Sequence, residues 1–212
     1  MIKTFEQNDK GKDYVVGDIH GCFTSLQGEL DKLEFNPETD RLFSVGDLVD
    51  RGPESDQVCD WLAKPWFHAV LGNHEQMAID YSKGMGEPGD YTSNGGLWFV
   101  SLDKYTRGYY TQEFERLPLV IEVHTPTGLV GIVHAECPLK DWNELKSFIP
   151  QFKDMILWSR HRINRGYNWE VSNISKVYVG HTPVKSKKIL GNHHYIDTGA
   201  VYGHPFTIER IN

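Results

Sequence analysis

The sequence predicts an α/β protein: two packed mixed β-sheets flanked by helices, a four-layer α/β/β/α sandwich. Three observations carry this reading. A strand, loop, helix pattern recurs three times in the first part of the chain; short β-branched and aromatic runs fill the second part; and 212 residues, 39% of them hydrophobic, suffice to bury one substantial core.

Tyr14-Val15-Val16 is an apolar run ending at Gly17-Asp18, a buried strand that stops where its C-terminal loop begins. Leu42 to Val45 runs likewise into Gly46-Asp47, and Phe67 to Leu71 into Gly72-Asn73. Helical spacing follows each, in Leu26, Leu30 and Leu33, then Val58, Trp61 and Leu62, then Met77, Ala78 and Tyr81. Such repeats imply parallel strands with right-handed crossovers, whose ligands gather beyond the carboxyl ends of the strands. From Pro118 onward, Leu119 to Val123, Leu129 to Val133, Val177 to Val179, Tyr195-Ile196 and Phe206 to Ile208 read as a second sheet. Thr125 to Gly128 suits a hairpin, and Asp141 to Trp158 is a mostly helical insertion. We expect one domain over residues 1–212, with a small helical cap or flap at 83–116.

Net charge is −7 with histidine neutral, and no basic run exceeds the patch from Lys185 to Lys188, which reads as the solvated edge of a strand. A dedicated nucleic-acid or membrane surface is therefore not expected. No apolar signal or membrane span occurs, and Cys22, Cys59 and Cys137 share no zinc or disulfide spacing. A cytoplasmic monomer with free thiols is the expectation.

The chemistry is concentrated at strand ends. Asp18, His20, Asp47, Asn73, His74, His134 and His181 bring carboxylate, amide and imidazole groups to five successive strands. Hard or borderline divalent cations accept this set, and one carboxylate can bridge two of them. Asp47, on the central strand of the first three, is the natural bridge. One ion would be held by Asp18 and His20, the other by Asn73, His134 and His181. No thiol is needed, which disfavours a structural zinc site. His68, His124, His161, His193, His194 and His204 have no matched partner, the tryptophans read as core, and Glu75 reads as structural.

Gly17-Asp18-Ile19-His20-Gly21, Gly46-Asp47-Leu48-Val49-Asp50-Arg51-Gly52 and Gly72-Asn73-His74-Glu75 resemble the three signature motifs of the phosphoprotein phosphatase family of metallophosphoesterases. The likeness continues through His134-Ala135, Gly180-His181-Thr182-Pro183 and Asp197 to Ala200, and the length fits the compact bacterial and phage branch. It implies the ligand assignment above, with two divalent ions, manganese first and iron, zinc or nickel as other occupants. It also implies a metal-bridging hydroxide as nucleophile, no covalent intermediate, and an Asp50–His74 dyad that protonates the leaving alkoxide. Arg51 and Arg160 align with the substrate clamp, whose bidentate forks suit phosphate.

One clamp position departs from the family: Leu71 stands where an arginine is usual. Symmetrical dinucleoside tetraphosphatases share Leu-Gly-Asn-His there but replace the Asp of Asp50-Arg51 by Ala, so Asp50 favours a protein phosphatase. The expected substrates are phosphoserine and phosphothreonine in proteins or peptides, with phosphotyrosine within the same chemistry. The rivals are a dinucleoside tetraphosphatase and a catalytically silent fold that binds phosphorylated ligands.

Overall fold

Consecutive apolar residues such as Tyr14, Val15 and Val16 need both faces of their sheet covered, and the computed structural model, which describes all residues from Met1 to Asn212, covers both. In chain order the elements begin β1 (Ile2–Phe5), β2 (Asp13–Val16), α1 (Phe23–Lys32), β3 (Arg41–Ser44), α2 (Val58–Leu62), β4 (Phe67–Ala69) and α3 (Asn73–Ser82). Next come α4 (Pro88–Tyr91), α5 (Leu97–Val100), α6 (Lys104–Glu115), β5 (Val120–Thr125) and β6 (Gly128–Ile132). The chain finishes with α7 (Trp142–Phe148), α8 (Lys153–Trp158), α9 (His161–Arg165), β7 (Lys176–Val179), β8 (Lys188–Leu190), β9 (His193–Tyr195) and β10 (Ile208–Arg210).

One sheet has the order β10-β2-β3-β4 and the other β1-β5-β6-β7-β9-β8. Strands β2, β3 and β4 are parallel, with β3 between its neighbours, as the repeated pattern requires. The β5–β6 hairpin is antiparallel, and β6, β7 and β9 are parallel to one another, so the second sheet is mixed.

Alternate residues separate the two cores. Val15, Phe43 and Val70 face Ile121, Val123, Val130, Ile132 and Tyr178 between the sheets. Tyr14, Val16 and Leu42 lie in the larger cluster with Leu26, Leu30, Val58 and Trp61 of the outer helices. Each such side chain contributes about 1.5–3 kcal/mol when fully buried. Glu122 is buried on β5 because Trp142 Nε1 at 2.7 Å, Lys146 Nζ at 3.1 Å and Thr4 Oγ1 at 3.1 Å all reach its carboxylate.

Two features differ from expectation. The run from Phe206 to Ile208 leads into β10, which pairs antiparallel with β2 in the first sheet rather than joining the second. A three-residue apolar stretch carries no information about sheet membership, and the return of the chain after Asp197 decides it. Strand β1, unmarked in the sequence, adds in parallel to β5 as an edge whose Lys3 and Thr4 are exposed. Lys188 sits on β8, at the opposite edge of the same sheet. No helix is long and apolar enough to cross a membrane.

Candidate active site

The loops after β2, β3 and β4 meet at the carboxyl edge of their sheet. The amides of Ile19 and His20 donate to the Asp47 carbonyl at 3.0 and 2.8 Å, and Gly21 N donates to Leu48 O at 2.7 Å. From the second sheet, Gly180 N donates to His134 O at 2.8 Å. These loops approach so closely that a Cβ on Gly72 would collide with Asp47, and one on Gly180 with the Asp18 carboxylate. Seven non-glycine residues have positive φ, and five of them are His20, Asp47, Asp50, Arg51 and His181. Backbone strain is therefore concentrated on the residues that the sequence marks as functional.

All six expected ligands are buried: Asp18, His20, Asp47, Asn73, His134 and His181. Asp47 lies between two groups. Its Oδ2 is 3.7 Å from His20 Nε2, and its Oδ1 is 3.3 Å from His134 Nε2. Asn73 Oδ1 is 2.8 Å from both His134 Nε2 and His181 Nδ1. The Asp18 carboxylate accepts the His181 amide at 3.0 and 3.2 Å.

Backbone carbonyls set the tautomers, because a carbonyl can only accept. His20 Nδ1 donates to Val49 O at 2.8 Å, His134 Nδ1 to Val45 O at 2.8 Å, and His181 Nε2 to Trp158 O at 3.1 Å. In each neutral ring the remaining nitrogen then presents a lone pair inward. The lone pairs of His134 and His181, the Asn73 amide oxygen and the Asp47 carboxylate thus converge in a buried space, while the His20 Nε2 lone pair faces Asp47 Oδ2 at 3.7 Å and accepts from Arg51 Nη1 at 2.6 Å. Acceptors at such separations repel unless protons or cations lie between them.

The titration tendencies agree for two of these three rings, and His134 departs from them. Burial holds His20 and His181 down to about 3, as neutral imidazoles. His134 goes up, because the Asp47 carboxylate outweighs its burial. Burial, then the neighbouring Asp197 and Asp47 carboxylates, push Asp18 well above the usual range. Asp47 itself is held low: its burial is overcome by His134, His74 and His20. Divalent cations fit this donor set without rearranging any tautomer.

His74 differs from these imidazoles. Its Nδ1 is 2.7 Å from Asp50 Oδ2, both residues are buried, and its Nε2 lies 3.9 Å from Asp47 Oδ2. Asp50 Oδ1 is held on its other side by Trp98 Nε1 at 2.6 Å and Tyr91 OH at 3.1 Å.

Both arginines are exposed at the rim. Arg51 Nη1 lies 2.6 Å from His20 Nε2, and Arg160 Nη2 donates to His181 O at 3.4 Å. Arg162, two residues on, is instead buried over the Trp169 ring, 3.6 Å from its centroid, and donates to Trp169 O at 2.8 Å. Leu71 is buried in the core, its amide on Pro118 O at 2.8 Å, and offers no charge to the site.

Glu75 has a larger part than the sequence reveals. Its carboxylate accepts the amides of Asp47, Leu48, Val49 and Gly72 at 3.1, 2.8, 3.2 and 2.9 Å, fixing the loop that carries Asp47 and Asp50. Trp98 and Tyr91 are the residues that sequence reasoning missed. The only local signal in the sequence is the neighbouring Asn94-Gly95-Gly96 run, which the structure places in a π-helical turn, Thr92–Gly96.

Comparison with known proteins agrees with this geometry. The chain is 39% identical over 203 residues to serine/threonine-protein phosphatase 1 of Salmonella typhimurium, covering 93% of this chain and 91% of the relative. A symmetrical bis(5'-nucleosyl)-tetraphosphatase of Erwinia tasmaniensis is 45% identical over only 75 residues, 34% of this chain and 27% of that protein. Among solved structures, a protein provisionally described as a diadenosine tetraphosphatase superposes with a TM-score of 0.74 at 22% identity, over 99% of this chain and 93% of the other. At that identity the superposition speaks for the fold. The family model described as calcineurin-like phosphoesterase matches residues 14–204, which include every residue of the acceptor cluster and of the Asp50–His74 pair, and the chain belongs to that family of metallophosphoesterases, whose centre is dinuclear.

Proposed function

We propose that the chain is a protein phosphatase that hydrolyses phosphoserine and phosphothreonine esters, with phosphotyrosine open to the same chemistry. The observation that carries the reading is the buried cluster of inward lone pairs around Asp47, beside the Asp50–His74 pair. The length-wide identity to a serine/threonine phosphatase supports the substrate class, whereas the dinucleotide hydrolase matches about a third of the chain.

In this reading Asp18 and His20 would hold one divalent cation, Asn73, His134 and His181 would hold a second, and Asp47 would be shared between them. Manganese is the proposed occupant. Bound there, two such ions would supply Lewis acidity for a water nucleophile near neutral pH and positive charge for the phosphoryl oxygens. Arg51 and Arg160, flanking the cluster, grip the remaining phosphoryl oxygens, each guanidinium offering a planar fork. The bond that breaks joins phosphorus to the seryl or threonyl oxygen. That oxygen departs as an alkoxide and takes a proton from His74 Nε2, while Asp50 holds the ring through Nδ1. With Leu71 uncharged, the grip on phosphate is left to two arginines.

We place the protein in the cytoplasm, a reading supported by three free cysteines, and take it to act as a monomer. The test of the substrate class is catalytic efficiency with manganese on a phosphothreonine peptide against diadenosine tetraphosphate. The peptide should be the better substrate; faster cleavage of the dinucleotide would favour the tetraphosphatase, and turnover of neither would favour a silent binding fold.

A further inference from the structure

We propose that the segment from Pro88 to Val100 is a positioning plate for the catalytic groups, acting through Trp98 and Tyr91 on Asp50 and through Gly95 on Arg51. The proposal rests on the reading of His74 as the proton donor to the leaving group.

A carboxylate that orients an imidazole must itself be oriented. Asp50 is fully buried and uses Oδ2 on His74, so rotation of its carboxylate is limited by whatever binds Oδ1. Two side chains do so, Trp98 Nε1 at 2.6 Å and Tyr91 OH at 3.1 Å, and both come from this segment rather than from the strand-end loops. Neither ring is free to swing. Trp98 stands edge-on to Tyr110 at 5.3 Å between centroids and to Phe99 at 5.5 Å. Tyr91 is buried against Phe99 at 6.0 Å and Tyr81 at 5.9 Å, and lies so close over Gly96 that a Cβ there would strike its ring.

The same segment touches the next residue of the site. Gly95, at φ 101°, packs against Arg51, where an added Cβ would come within 2.6 Å of the amide nitrogen and 2.9 Å of Cγ. Asp50 and Arg51 have φ of 70° and 68°, a strained pair that needs support from outside its own loop. One rigid piece therefore sets the direction of the proton donor's partner and the seat of the rim arginine.

These contacts separate in kinetics. Losing donors on Asp50 misaligns His74, which matters only when the leaving group needs a proton; displacing Arg51 weakens the hold on phosphate for every substrate. The experiment compares Trp98→Phe, Tyr91→Phe, the double variant and Gly95→Ala on a phosphothreonine peptide, on a simple alkyl phosphate and on p-nitrophenyl phosphate.

For the double variant, kcat on both alkyl esters should fall about 10- to 30-fold with KM within about twofold, while kcat on the aryl ester falls less than about threefold. Each single variant keeps one donor on Oδ1 and should show the same selectivity at about three- to fivefold, so the test survives if the double variant fails to fold. Gly95→Ala should instead raise KM on all three substrates. Equal losses on alkyl and aryl esters, or no loss on either, would overturn the proposal. An enzyme that cleaves alkyl phosphates but no phosphopeptide would refute the protein-phosphatase reading alone, leaving the alkyl-to-aryl ratio to judge the plate.

Discussion

Replacing Glu75 by glutamine probes how the site is built, because the change is nearly isosteric and removes no ligand. Oε1 accepts the amides of Leu48 and Val49, and Oε2 those of Asp47 and Gly72. A glutamine must turn its NH2 toward one of these pairs, so two buried N–H groups face a donor in place of an acceptor. Each unsatisfied group costs about 1–3 kcal/mol, or about 2–6 kcal/mol together. That is a large part of the roughly 5–15 kcal/mol that holds a domain folded, and for a chain of this size it corresponds to a melting temperature lower by roughly 5–20 °C. The loop released carries Asp47 and Asp50, so metal content should fall along with stability. The assay is thermal denaturation of Glu75→Gln and wild type at fixed free manganese, with bound metal measured on the same samples. A variant that melts within about 1 °C of wild type with full metal content would refute the claim that the four amide bonds to the Glu75 side chain hold the site together.

Other predictions follow from the same geometry. His74→Asn should lower kcat about 100-fold or more on alkyl phosphates and much less on p-nitrophenyl phosphate, whose phenolate leaves without a proton; steady-state kinetics on both substrates checks this. Arg51→Lys keeps the charge but loses the planar fork, and should raise KM for a phosphopeptide about tenfold with kcat changed less, measured under saturating metal. His68, packed against Phe5 and Phe43, is lowered to about 4 by burial and then by Lys3 and Arg41. The unfolded chain therefore binds the proton more readily. The stability of the neutral ring is fully present above about pH 6.5 and is lost as the pH falls from there toward 4, a total on the order of 3 kcal/mol. His68→Phe should flatten that part of the acid limb in denaturant titrations run at several pH values; an unchanged limb would show that this histidine is not responsible.

The parallel strands and their terminal polar residues were legible because each motif lies in one local stretch: an apolar run, a glycine, then Asp47 or Asn73. A strand buried on both faces is written as consecutive apolar residues, and a residue at its carboxyl end can be placed without knowing what lies opposite. The pairing of β10 was not legible, since Ile208 would be apolar in either sheet. Strand β1 was hidden by its exposed Lys3 and Thr4, which are what an edge strand carries. Glu75 read as structural, yet its four amide donors could not be read, because three of them come from residues 47–49. Trp98 lies 48 positions from Asp50, and nothing in its neighbourhood announces a carboxylate partner. The sequence reading chose Arg160 for the rim, but what Arg162 does instead needed the fold, which buries it over Trp169.

The convergence of lone pairs on Asp47 as a centre for two cations is tested most directly by counting bound metal. Wild-type protein, stripped and then titrated with manganese, should take up two ions per chain, with phosphopeptide turnover rising only as the second is bound. Asp47→Asn, which keeps the side-chain shape and removes the shared charge, should lose at least one of them together with most activity. A wild-type stoichiometry of one, or an Asp47→Asn protein that binds two ions and turns over near the wild-type rate, would contradict the account.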